Sequence, residues 1–183
     1  MIPFADSTNP EAIDPAKFSH VAGYANGKYA WPDHQFDRFK RHFKIAVEPG
    51  DPTQARLARC LDIERFDATV SDAAPFARHR AEAGHDDCLF YCSLSVVPAL
   101  VAALRGARSE FFSAKRPVTW GLWVAWWWQR PHPPTATEVL AELKTLSGVT
   151  LEPGKLRGCQ WQPGTDIDRS VWYASDNFSP GKS

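Results

Sequence analysis

Short apolar or β-branched runs alternate with amphipathic segments along the whole chain, and this alternation limits the possible folds more than any other feature. The runs are Ile2–Ala5, Val21–Tyr24, Lys44–Val47, Arg59–Ile63, Cys88–Cys92, Trp120–Ala125, Arg157–Trp161 and Val171–Ala174, each of strand length. Helical signals fall between several of them. Pro32–Arg41 sets Phe36 and Phe39 three apart behind a proline; Asp72–Ala83 follows Thr69-Val70-Ser71 and stops at Gly84. Ser95–Arg105 carries Val96, Val97, Leu100, Val101 and Leu104 ahead of Gly106, and Thr135–Leu146 opens on a Thr-x-x-Glu start from Thr135 to Glu138. Such alternation predicts a mostly parallel sheet, because the helices serve as crossovers. Gly and Pro punctuate the chain throughout, so residues 1–183 read as one domain, with 175–183 a polar tail.

Two layouts are compatible with a parallel sheet. An open doubly wound sheet that binds nucleotides carries a Gly-rich turn after its first strand, whereas here Ile2–Ala5 leads into Asp6-Ser7-Thr8-Asn9-Pro10. A closed barrel sets polar residues at the C-terminal ends of its strands, where Asp6, Asp62, Glu64 and Gln160 fall. The fold class expected is therefore α/β, a compact and irregular (β/α)8 TIM-like barrel with shortened helices to fit the length.

Charge narrows the partners. Lys and Arg (21) balance Asp and Glu (21), which leaves no field of one sign to hold a nucleic acid backbone. The N-terminal Met1-Ile2-Pro3-Phe4 lacks a basic-then-apolar leader, and no membrane span is visible, so synthesis in a cytoplasm without a signal peptide is expected. The four Cys are dispersed through apolar runs and read as buried thiols; neither they nor the six scattered His suggest a metal, and no cofactor is expected.

The sharpest local feature is Asp62-Ile63-Glu64. In a strand, residues two apart share a face, which directs both carboxyls at one cleft as an acid/base pair; pairing of Glu64 with Arg59 or Arg65 is the competing reading. Asp6 and Asp168 are further acidic candidates, against an Asx-turn for the first and a loop pair with Arg169 for the second. Eight Trp in so short a chain are also unusual. A ring with a flat face and a polar edge can stack on a sugar, so Trp123 and Trp161 are candidates for such a cleft, while Trp126, Trp127 and Trp128 are read as packing or interface residues.

The order Phe4-Ala5-Asp6-Ser7, Asp62-Ile63-Glu64, Phe90-Tyr91-Cys92, Leu122-Trp123-Val124-Ala125, Cys159-Gln160-Trp161, Asp168-Arg169-Ser170 resembles the family 25 glycoside hydrolases, lysozyme-like muramidases of phages and bacteria with an irregular (β/α) barrel. The resemblance implies Glu64 as proton donor, Asp62 and Asp6 as its partners and Asp168 as a further acid, with Tyr91, Trp123 and Gln160 lining the sugar cleft; Tyr24 and Trp161 are further substrate-binding candidates. It implies peptidoglycan or another cell-wall glycan as the ligand, and association with a virion or action on the cell wall. Small barrel proteins of actinobacterial phages look closer still, so a non-catalytic minor tail protein that binds glycan or other tail proteins is the alternative expectation.

Overall fold

A computed structural model describes residues 1–48, 52–107, 118–127, 130–152 and 154–173; Trp128, Ala174 and the 175–183 tail lie outside them. The described residues form eight strands: β1 Ile2–Asp6, β2 His20–Tyr24, β3 Arg41–Ala46, β4 Cys60–Ile63, β5 Asp87–Ser93, β6 Thr119–Ala125, β7 Leu156–Gln162 and β8 Asp168–Trp172. They close into a barrel in chain order. Each run read as a strand from the sequence contributes one of them. β1 to β7 are mutually parallel, and β8 runs antiparallel to both of its neighbours. Only five residues, 163–167, connect β7 to β8. A parallel crossover needs a dozen or more, so this last connection can only be a hairpin.

The result is a closed, mixed eight-stranded barrel with helices packed on its outside. Among the described residues the helices are α1 Asp33–Phe36, α2 Pro52–Leu57, α3 Ala73–Glu82, α4 Val97–Gly106 and α5 Ala136–Ser147. At the start of α5, Thr135 and Glu138 form the expected capping box, and the helix stops at Gly148 with φ 68°. α3 follows a 3-10 turn, Val70–Asp72, capped reciprocally by Thr69 and Asp72. The helix expected over Pro32–Arg41 shrinks to the single turn of α1. Phe36 and Phe39 turn back with Trp31 onto the outside of β1 and β2, and Arg41 is already paired to His20 in the sheet.

Alternation along the strands separates two cores. Inside the barrel lie Phe4, Phe43, Cys60, Leu89, Tyr91, Trp123 and Trp172, all buried. Their rings meet at centroid distances of 4.5 Å (Tyr91–Trp123), 5.1 Å (Phe4–Trp123) and 5.8 Å (Phe43–Trp123, edge-on). Each such side chain contributes about 1.5–3 kcal/mol by leaving water, and an eight-stranded barrel is just wide enough to be filled this way. Outside, Leu61, Ile63, Phe90, Val124 and Cys159 pack with Phe76, Leu100, Leu104 and Leu143 of α3, α4 and α5. The four Cys are free and buried, and burial pushes all four thiols above their usual range. None of the described helices is long and apolar enough to cross a membrane.

Candidate active site

Acidic side chains gather at the C-terminal ends of the parallel strands, with the interior rings of Tyr91 and Trp123 reaching their hydrogen-bond partners. β1 presents Asp6 as its last inward residue, and β4 presents Asp62. Glu64 follows β4 directly. Because β8 is antiparallel, its first residue, Asp168, reaches the same end and stands opposite Asp6 in the ladder. Side chains so placed have Cβ atoms about 4.5–5.5 Å apart. The four carboxyls expected from the sequence therefore converge, and a fifth, Asp67, joins them: one carboxylate oxygen each from Asp62, Glu64 and Asp67 lie within 4.8 Å of one another. These three are a hard-oxygen set of the kind a divalent cation accepts.

Two donor chains end on Asp6. The Tyr91 hydroxyl donates to Gln160 Oε1 at 2.6 Å, and Gln160 Nε2 donates to Asp6 Oδ2 at 2.9 Å. The Trp123 indole N–H donates to Ser170 Oγ at 3.2 Å, and that hydroxyl donates to Asp6 Oδ1 at 3.4 Å. Burial and then Asp168 nevertheless push the Asp6 carboxyl well above the usual carboxylate range, and the bonds from Gln160 and Ser170 offset this only in part. Asp62 has less help. It is 2% exposed, and its Oδ1 has no hydrogen-bond partner among the described residues. Burial, then Glu64, Asp67 and Asp6, drive its pKa well up. Glu64, reachable from solvent, is raised by burial and by Asp67, with the nearby Tyr91 hydroxyl pulling the other way. Asp67 and Asp168 are raised by burial, and Asp168 also accepts the Gly164 N–H at 2.8 Å.

The aromatic candidates divide. Tyr24 sits at the end of β2, half-buried, and Asp62, Asp6 and Glu64 after burial raise its phenol, so it lines the mouth. Tyr91 and Gln160 belong to the hydrogen-bond chain. Trp123 is 1% exposed and enclosed by Phe4, Phe43 and Tyr91, which corrects its expected role: it offers no face to a ligand and instead anchors Ser170, which bonds Asp6. Trp161, half-buried, packs against the outer core and does not join Gln160 in its hydrogen-bond chain; the β7–β8 register shifts at this point, between Gln160 and Gln162. Trp126 is half-buried against the same outer core and Trp127 is 69% exposed. Ser170 and Asp67 were missed as site residues. The first carries no signal beyond its alternation with Asp168, and the second could have been found from the Glu-x-x-Asp spacing that closes a turn after β4. Comparison with family models, with curated proteins and with solved structures found no match to this chain.

Proposed function

We propose that the protein is a cell-wall glycan hydrolase of the lysozyme or muramidase type, built on a compact, irregular variant of the (β/α)8 barrel. One observation carries the reading: a solvent-reachable Glu64 with a raised pKa stands within 4.8 Å of a buried Asp62 at the mouth of a closed barrel. Two carboxyls that close leave no room for a water between them, which disfavours an inverting mechanism for this pair. They suit a double displacement, or a reaction in which the substrate's own acetamido oxygen attacks the anomeric carbon while Asp62 steadies its N–H.

The two titrate as a coupled unit, and the working form is the singly protonated pair with its proton on the solvent-reachable Glu64 and Asp62 ionised, an arrangement that burial of Asp62 makes the less populated one. Glu64 gives its proton to the leaving glycosidic oxygen as the C–O bond breaks, then takes a proton from the water that completes hydrolysis. Asp6, fixed by Gln160 and Ser170, and Asp168 keep the mouth acidic and raise the pair. An uncharged sugar chain needs no electrostatic steering, in keeping with a net charge of zero. Virion association and action on the cell wall belong to this proposal, and the alternative is a tail module that binds glycan without cutting it.

The test is release of reducing ends from actinobacterial peptidoglycan by the wild type and by Glu64→Gln. The wild type is expected to exceed the variant by about 10²–10⁴-fold. Its pH profile is expected to be a bell with both limbs above the ordinary carboxylate range, the upper limb falling as the pair loses its last proton. No difference between the two proteins would remove hydrolysis from the reading and leave the tail module.

A further inference from the structure

The turn after β4 holds a bulky residue where the backbone favours glycine. Glu64 to Asp67 form a four-residue turn in which the Asp67 N–H donates to the Glu64 carbonyl at 3.2 Å. Phe66, the third residue, has φ 78°, and it alone among described non-glycine residues has a positive φ. This is the position of a type II turn that takes Gly or Asn, because a Cβ there crowds the backbone. Elsewhere the chain meets the same demand with Gly27, Gly84, Gly148 and Gly154. The aromatic ring gains nothing from the core in return, since Phe66 is 90% exposed. The Arg65 guanidinium lies 4.8 Å from the ring centroid. The flanking residues, Glu64 and Asp67, are two of the three whose carboxylates converge with Asp62. A strained backbone that carries an exposed aromatic beside an acidic mouth is explained by a ligand, not by folding.

We propose that Phe66 is a stacking platform for the sugar unit bound next to Glu64, its ring lying against the apolar C–H face of a pyranose. The proposal rests on the glycan reading above and adds the group that grips the substrate. A pyranose chain presents flat C–H faces between its hydroxyls. The Arg65 side chain sets the pitch of the ring from one side and leaves the other for sugar.

The experiment compares the full chain with Phe66→Asn and Phe66→Trp, using peptide-stripped glycan strands from bacterial peptidoglycan as the probe. Asn accepts a positive φ, so Phe66→Asn should melt as high as the wild type or higher while its Kd for the strands weakens about tenfold or more. In turnover assays KM should rise with kcat little changed. Phe66→Trp should bind the strands as the wild type does and melt no higher than it. Two results would overturn the platform: Phe66→Asn that binds the strands as tightly as the wild type, or Phe66→Asn that melts clearly lower, which would make the ring a structural element. A wild type that binds the strands but never cuts them would sink the hydrolase reading while the binding data still decide on Phe66. A wild type that does not bind them would overturn both.

Discussion

Replacing Asp62 by Asn should flatten the dependence of stability on pH. Asp62 is 2% exposed, lacks a partner for Oδ1 and faces Glu64, Asp67 and Asp6, so the folded protein holds its proton to a higher pH than the unfolded chain does. Unfolded, an Asp ionises near pH ~3.9. Below that value both states carry the proton and Asp62 costs nothing. Above it, the folded state binds one more proton than the unfolded state, so stability falls by about 1.4 kcal/mol for each pH unit until the folded pKa is passed. Asn has nearly the same shape and no titration, and Glu64 and Asp67 can accept from its amide. In a chain of this size 1 kcal/mol moves the melting temperature by about 2–4 °C. The Asp62→Asn protein should therefore gain about 3–6 °C on the wild type per pH unit through this window. Thermal unfolding followed by circular dichroism from about pH 4 to pH 7, at constant ionic strength, reads the difference, and the subtraction cancels every other titrating group except those coupled to Asp62. Melting curves separated by a constant offset would refute the reasoning. So would a wild type that gains on Asp62→Asn as pH rises, since that requires an ionised Asp62 with a partner in the fold.

Two further substitutions probe the supports of the mouth. Trp123→Phe removes the N–H that holds Ser170 Oγ and leaves a void among the interior rings, for an expected loss of about 1–3 kcal/mol in urea unfolding; an unchanged midpoint would show that Trp123 is not an anchor. At the opposite end of the barrel, Arg80 is buried, donates to the carbonyls of Ala58 and Asp87 at 2.7 and 2.8 Å, and pairs with the Asp87 carboxylate. Arg80→Met leaves those carbonyls without their donor and should cost about 2–5 kcal/mol, again in urea; a loss under about 1 kcal/mol would mean that water replaces the guanidinium.

The strands were legible because each is a short apolar run between turn signals, and their order followed from the helices between them. The sense of β8 was legible too, in the few residues between Trp161 and Val171, but reading every connection as a crossover hid it. The short α1 shows tertiary contacts overriding a local signal: Phe36 and Phe39 are spaced for a helix, yet Trp31 and the outer face of β1 and β2 claim them. Within the site, Asp62 and Glu64 were visible from period two alone, whereas Trp161 sits where the β7–β8 ladder shifts register, which no alternation pattern announces. What no sequence pattern displays is enclosure. Trp123 is shut in by Phe4, Phe43 and Tyr91, and Ser170 matters only because Trp123 and Asp6 both reach it. Phe66 was invisible because an aromatic at the third position of a turn runs against the propensity that would have marked the turn.

The closing pair of strands also bears on how the protein folds. Asp6 is bonded to residues 154 and 164 positions further along the chain. Contacts of such separation carry the largest loop-closure entropy and should form late. They also place Asp6 directly opposite Asp168, so the final zipping of β8 onto β1 must bring two acids face to face. A chain ending before β8 would keep seven strands and lose the rim of the barrel together with half of Asp6's hydrogen-bond partners. For this molecule, the strand pairing that closes the barrel is also the one that brings Asp168 and Ser170 to Asp6.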